Sequence, residues 1–119
     1  MLDKNNGSVI RVKKDKNYTV MCNQHLHVTN MSLKAKGLLS LILALPDNWD
    51  YSISGLASLC KESIGTIRNT LDELKELGYI EVIKHNPSEI NGGRYSYEYI
   101  IYEKSKSPMK LEMKWKKKY

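Results

Sequence analysis

The segment at residues 56–80, which reads LASLCKESIGTIRNTLDELKELGYI, constrains this chain more than any other. Its apolar residues recur at steps of three and four, the spacing that places side chains on one face of an α-helix. Ser63 can cap the start of this helix, and Gly78 can end it because glycine readily adopts the left-handed backbone conformation. The predicted buried stripe consists of Ile64, Ile67, Leu71, Leu74 and Leu77.

A short helix and a tight polar break precede this long helix. Two helices joined in this way are typical of a helix-turn-helix, whose second helix can enter a DNA major groove. After Gly78, residues Tyr79–Lys84 and Arg94–Glu103 have the composition of two antiparallel strands. The sequence between them, HNPSEINGG, contains Asn-Pro and Asn-Gly-Gly steps that favour a turn. A hairpin directly after the second helix is a wing.

The residues before this motif predict the rest of a small core. Ser32 can cap a helix over Ser32–Leu45, which Pro46 ends, and Ser52 can cap the short helix that follows. The expected fold class is therefore α+β, mainly α. It is a winged helix-turn-helix with a three-helix core and a C-terminal β-hairpin wing.

Length and charge predict how the chain is divided. A chain of 119 residues suits one domain. We expect an N-terminal arm at residues 1–17 that can hold a short strand, the winged helix-turn-helix domain at 18–104 and a lysine-rich tail at 105–119. The net charge is +6, but the tail holds six lysines and one glutamate, which leaves +1 for the rest. The tail and the basic cluster of Arg11, Lys13, Lys14 and Lys16 must therefore supply much of any electrostatic affinity for phosphate.

Motifs that would indicate catalysis, metal binding or membrane insertion are missing. The sequence has no glycine-rich phosphate loop, nucleophile elbow or zinc-hydrolase helix, so no enzyme activity and no cofactor are expected. Cys22, His25 and His27 lie close together, but no second cluster offers paired ligand spacing, so no metal is expected. No apolar run approaches the roughly 20 residues that span a bilayer, and no signal peptide is visible, so a cytoplasmic protein is expected.

DNA reading is expected in the first half of the second helix, because its N-terminus points into the groove while its later turns leave it. Arg68 can pair with guanine or grip phosphate, Asn69 can pair with adenine, and hydroxyls can bond phosphates or base edges. Basic residues of the wing could reach the minor groove or the backbone. The predicted DNA-binding residues are Lys61, Ser63, Gly65, Thr66, Arg68 and Asn69 around the helix and Lys84, His85 and Arg94 in the wing.

The acidic second half of the same helix favours a different interpretation. Asp72, Glu73 and Glu76 crowd one predicted exposed face, and they would repel phosphate if the helix lay flat in the groove. One arginine and a few hydroxyls are a small contact set for a specific DNA reader. A helix-turn-helix can also serve only to dock a protein. DNA contact is the favoured hypothesis, and protein docking alone stays open.

The second wing strand carries a row of tyrosines. Tyr95, Tyr97 and Tyr99 alternate with other residues at a period of two, which places them on one face of the strand. Tyrosine rings can stack on bases, but such rows are more often half-buried sheet residues with a wet hydroxyl. The half-buried arrangement is the one expected.

The tail at residues 105–119 is more than a run of charge. Met109, Leu111, Met113 and Trp115 alternate with charged residues, so an extended conformation would have an apolar edge and a basic edge. Three interpretations stay open: an arm that grips phosphate, a strand that adds to another chain's sheet, or a remnant of a longer protein. The tail residues predicted to contact phosphate are Lys114, Lys116, Lys117 and Lys118.

Two stretches of the chain resemble a known family. Leu33-x-Ala35-Lys36-Gly37-Leu38-Leu39, followed by Leu45-Pro46-x-x-Trp49-Asp50-Tyr51, is similar to the N-terminal winged-helix domain of phage replisome-organiser and DnaD-like replication proteins. The resemblance covers residues 18–103, and a looser similarity to GntR-type regulators covers residues 52–80. It implies a role in phage or plasmid DNA replication in a Gram-positive bacterium, with origin binding and recruitment of host helicase-loading proteins. It also implies that Ser63, Thr66, Arg68 and Asn69 occupy recognition-helix positions.

The expected function is therefore non-catalytic binding of double-stranded DNA by a phage or plasmid protein, in replication initiation or its regulation. The alternative is a winged-helix interaction module, or a transcriptional regulator of a mobile element, that binds a host protein. A homodimer would let paired half-sites compensate for a modest contact set, although no residue specifies one.

Overall fold

The core of the computed structural model is built from three helices: α1 (Leu33–Ala44), α2 (Ile53–Ser58) and α3 (Ile64–Glu76). The structure describes residues 2–3, 8–9, 11, 17–46, 52–88 and 92–113. Each helix begins, as predicted, after a serine whose hydroxyl accepts a hydrogen bond from the backbone amide three residues later. The three capping serines are Ser32, Ser52 and Ser63, with bond lengths of 3.1, 2.9 and 3.2 Å.

The wing is an antiparallel hairpin of β3 (Ile80–His85) and β4 (Ser96–Ile101), and a separate two-residue pair, β1 (Leu2–Asp3) and β2 (Ser8–Val9), lies in the N-terminal arm. Ile80 pairs with Ile101 at the base of the wing, next to the core, and His85 pairs with Ser96 toward its tip. Three helices followed by this hairpin confirm the predicted fold class, a mainly α winged helix-turn-helix.

The buried stripe of α3 is shorter than the sequence predicted. Ile67, Leu71, Leu74 and Leu77 are buried, but 47% of Ile64 is exposed, so the prediction for Ile64 was wrong. Ile64 opens the helix at the turn after α2, where every residue from 61 to 65 is exposed. The apolar spacing is correct, but the packed interface begins one helical turn later. Among the described residues, the buried apolar core consists of Val28, Met31, Ala35, Leu38, Leu39, Ile42, Leu56, Ile67, Leu71, Leu74, Leu77, Tyr79 and Ile80.

Two buried polar side chains connect a short 3-10 helix, Gln24–His27, to this core. The Tyr79 hydroxyl donates to Gln24 Oε1 at 2.8 Å, and burial raises the pKa of Tyr79 to about 12. His25 Nε2 lies 2.7 Å from the Ser40 hydroxyl, whose own proton goes to the Lys36 carbonyl oxygen. Because a hydroxyl has a single proton, Nε2 must be the donor, and burial lowers the pKa of His25. Both side chains are therefore neutral, hydrogen-bonded parts of the core near pH 7.

The chain after β4 folds back onto the domain. Ser105 is buried, and its hydroxyl donates to the Leu77 carbonyl at 2.5 Å. Farther along, Leu111 and Met113 pack against the core, and the Thr29 amide donates to the Glu112 carbonyl at 2.7 Å. Residues 105–113, which the sequence assigned to the tail, therefore include residues that pack on the domain.

This docking follows part of the predicted alternation. Leu111 and Met113 lie on the apolar edge expected of an extended segment, and Met113 forms a bridge with Val28. Met109 does not continue that edge, because it lies in a 3-10 helix, Pro108–Lys110, and is 96% exposed. The predicted phosphate contacts of the tail, Lys114, Lys116, Lys117 and Lys118, lie outside the described residues, as do Lys13, Lys14 and Lys16.

Candidate nucleic-acid interface

The turn between α2 and α3 places the first turn of α3 at the protein surface. The amides of Leu59 and Cys60 close the end of α2 by bonding to the carbonyls of Leu56 and Ala57, each at 3.1 Å. The five residues from Leu59 to Ser63 then lead into α3. Within this turn, Lys61 is exposed, as its predicted role in phosphate contact requires.

The outer face of α3 lies opposite its buried stripe. At about 100° of rotation per residue, Gly65, Asn69, Asp72 and Glu76 point away from the core. All four are exposed. Gly65 and Asn69 lie in the first half of the helix and are uncharged, whereas the two acids lie in the second half. A helix that enters a groove by its N-terminal half would therefore keep these acids farther from the phosphates.

Glu73 is not part of this acidic face. Its two carboxylate oxygens accept hydrogen bonds of 2.6 Å from the backbone amide and the hydroxyl of Ser32, at the start of α1. A carboxylate at a helix N-terminus is stabilised by the unpaired amides there. The expectation that Glu73 joins Asp72 and Glu76 on one exposed face was therefore wrong, since Glu73 links α3 to α1.

The two hydroxyls predicted to touch DNA are already engaged. Ser63 Oγ accepts from the Thr66 amide at 3.2 Å and lies 3.1 Å from Thr66 Oγ1. Thr66 is partly buried and lines a cavity beside α1 with Lys34 and Gly37, away from the outer face. The two hydroxyls thus interact with each other at the start of α3, and Thr66 lies on the side toward α1.

Arg68 lies on the opposite flank of α3, toward the wing. Its side chain is exposed and borders a groove of about 290 Å³ between α3 and the hairpin. Tyr97 and Tyr99 line the wing side of this groove, and Lys75 lines the helix side with Arg68. The structure therefore brings Arg68 next to Asn69 on the surface and also next to aromatic rings.

The three predicted wing residues do not share one face. Lys84 is exposed on the tyrosine side, and its Nζ lies 4.2 Å from the centroid of the Tyr95 ring. His85 comes one residue later on the other face, where its Nε2 lies 3.0 Å from Glu98 Oε1. The Glu98 carboxylate beside His85 would repel phosphate, so Lys84 is better placed than His85 for DNA. Arg94 is exposed in the hairpin turn.

Sequence reasoning missed Lys75 as a member of this site. Lys75 follows Arg68 by seven residues, which is almost two full turns of helix, so both side chains lie on one flank. That spacing was visible in the sequence. Recognition that this flank faces the wing required the structure.

Comparison with known proteins supports a helix-turn-helix assignment. A family model described as a helix-turn-helix domain matches residues 29–80, which contain α1, α2 and α3. No curated protein and no solved structure matches the chain significantly. Residues 29–80 thus form a helix-turn-helix domain, a class of domain that suggests DNA binding.

The described residues form neither a metal site nor a membrane span. No three or more His, Cys, Asp or Glu side chains there are arranged to hold a metal ion. None of the helices in that part of the chain is long and apolar enough to cross a membrane.

Gly65 offers a test that separates folding from binding. Within the part of the chain that the structure describes, an added Cβ would meet only Ser63 Oγ, at 3.8 Å, so no contact there requires a glycine. We expect Gly65→Ala to raise the free energy of unfolding by about 0.5–1 kcal/mol, because alanine is the better helix former. If DNA approaches this backbone closely, the same change weakens duplex binding. Stability measured by urea unfolding should therefore rise while duplex affinity measured by titration falls. An unchanged duplex affinity would mean that Gly65 is not part of the interface.

Proposed function

We propose that this protein binds double-stranded DNA through the first half of α3 and the wing, and that it catalyses no reaction. One observation carries the proposal: Arg68 and Asn69 lie side by side, exposed, on the second helix of a helix-turn-helix domain. Arginine and asparagine can each make bidentate contacts to a base edge in the major groove. Lys61 before the helix and Lys84 and Arg94 in the wing supply cations for the flanking phosphates.

A role in replication of a phage or plasmid is the finer part of the proposal. It is supported by the resemblance of residues 18–103 to the winged-helix domain of replisome-organiser and DnaD-like proteins. In this role the protein binds an origin and recruits a host helicase-loading protein. A homodimer would place two copies of α3 on paired half-sites, which would compensate for the few base contacts of each copy.

Salt dependence tests the proposed DNA site. We expect the logarithm of duplex affinity to fall linearly with the logarithm of salt concentration, because each neutralised phosphate releases a counterion. A variant has Lys114, Lys116, Lys117 and Lys118 changed to glutamine. It should bind all duplexes more weakly, and its plot of log affinity against log salt concentration should be less steep by up to about 4. Fluorescence anisotropy of random and AT-rich duplexes at several salt concentrations measures both effects.

The four-lysine variant also shows whether the helix-turn-helix domain or the lysine-rich tail holds the DNA site. Salt-sensitive binding that persists in this variant supports a DNA site on α3 and the wing. Loss of all binding would leave only a basic arm and contradict the proposal. Absence of duplex binding in the unaltered protein would favour docking of a host protein, for which exposed Leu59 and Ile64 beside the turn offer apolar contacts.

A further inference from the structure

The tyrosine face of the wing, formed by Tyr95, Tyr97 and Tyr99, is more open than its sequence pattern predicted. The exposed fractions of these residues are 57%, 57% and 43%. Among the described residues of this face, Ile80 is buried in the core, and Val82 and Ile101 are partly buried against it. Three large aromatic side chains thus follow one another at the surface of the wing, Tyr97 and Tyr99 in β4 and Tyr95 just before it.

Cations surround this face on two sides. Lys84 pairs across the ladder with Tyr97, and its Nζ lies over the Tyr95 ring. On the far side of the groove, Arg68 and Lys75 extend from α3, with Asp72 as the one acid among the groove-lining residues. Three cations against one carboxylate make the surroundings of the rings attractive to an anionic chain.

We propose that the tyrosine face binds a single strand of DNA, with its rings stacked on unpaired bases and Arg68, Lys75 and Lys84 near the phosphates. Aromatic side chains beside a positively charged groove are the combination that binds single strands without strict sequence preference. Alternate residues of a strand lie about 7 Å apart, so neighbouring rings can each hold a different base. A paired duplex hides the faces of its bases and cannot be held in this way.

This inference goes beyond the proposed duplex site and rests on it in one respect, since the cations Arg68 and Lys84 border both sites. The two sites are otherwise separate, because Asn69 lies on the outer face of α3 and the tyrosines lie across the groove. A protein with both sites could hold a duplex on α3 and an adjacent unpaired strand on the wing. The test therefore uses Tyr97, Tyr99 and Asn69 and leaves Arg68 and Lys84 unchanged.

The experiment measures the affinity of the full chain for a labelled single-stranded DNA of about 12 nucleotides and for a duplex. Changing Tyr97→Leu and Tyr99→Leu together should lower single-strand affinity at least about 10-fold and leave duplex affinity within about twofold. Changing both residues to phenylalanine keeps the rings and should preserve single-strand affinity. Asn69→Ala should weaken duplex binding alone. Both tyrosines are exposed, and a thermal melt of each variant checks that it folds.

A second measurement needs no variant. A 2-aminopurine base in the single strand should change its fluorescence when the unaltered protein stacks on it. An unchanged signal, or single-strand affinity that survives the double leucine change, would overturn the inference. Equal losses of single-strand affinity in the leucine and phenylalanine variants would also overturn the inference, because they would mean that the hydroxyls, not the rings, contact the strand. Tighter binding of the matching RNA strand would overturn it as well. Failure of duplex binding with single-strand binding intact would contradict only the proposed function.

Discussion

Replacing Gly78 with alanine is expected to lower the free energy of unfolding by about 2–5 kcal/mol. Gly78 has φ +86°, a left-handed conformation that costs other residues about 1–2 kcal/mol. An added Cβ would also lie 2.5 Å from Ser105 Oγ and 2.7 Å from the Ser107 amide nitrogen, and such overpacking typically costs about 1–3 kcal/mol. The Lys106 amide donates to the Gly78 carbonyl at 2.8 Å, so the returning chain cannot move away without losing this bond.

Gly93→Ala is the matched control for this prediction. Gly93 has φ +72°, but no atom of the described residues lies within 4 Å of an added Cβ, so only the backbone cost of about 1–2 kcal/mol applies. Urea unfolding gives the free energy of unfolding of both variants. The difference between their losses is the cost of the clash of the Gly78→Ala Cβ with Ser105 and Ser107, apart from the conformational strain that both variants share. Equal losses at the two positions would mean that residues 105–107 do not pack on Gly78 in solution.

The largest expected effect on binding comes from changing Arg68→Ala and Asn69→Ala together. Each bidentate base contact contributes about 1–3 kcal/mol to discrimination, so each single change should weaken a preferred duplex by roughly 5- to 150-fold. The double change should reduce binding to the level of a random duplex. Anisotropy titrations against both duplexes at one salt concentration measure the loss.

Lys104→Ala serves as the charge-matched control for Arg68→Ala. Lys104 is exposed and precedes Ser105, which bonds to the chain just after α3, so it lies near the end of α3 farthest from the proposed site. Its loss should weaken all duplexes slightly and alike. If Lys104→Ala and Arg68→Ala have the same effect on preferred and random duplexes, α3 is not reading bases.

The helices and their starts could be predicted from the sequence because the signals for them are local. A capping serine acts on an amide three residues away, and helical periodicity extends over neighbouring turns. The same local signals predicted the turn of the hairpin through its Asn-Gly-Gly step. These features do not depend on how distant parts of the chain meet.

The features that could not be predicted all depend on contacts between distant residues. Glu73 looks like surface charge until Ser32, 41 residues earlier, is placed beside it. Residues 105–113 look like a free tail until Gly78 and Thr29 supply hydrogen-bond partners. The position of Arg68 across a groove from Tyr97 and Tyr99 depends on the angle between α3 and the wing. Periodicity correctly placed the tyrosines on one face, but it could not show that their rings stay exposed beside the part of that face that packs on the core.

The most direct test of the central claim is a map of backbone amide chemical shifts of the full chain during titration with a duplex. We predict shifts for Ser63–Asn69 at the start of α3 and for residues near Lys84 and Arg94 in the wing, with little change in α1. Such a pattern would mean that α3 and the wing meet the DNA together. Shifts confined to residues 114–119, or centred on α1, would contradict the account.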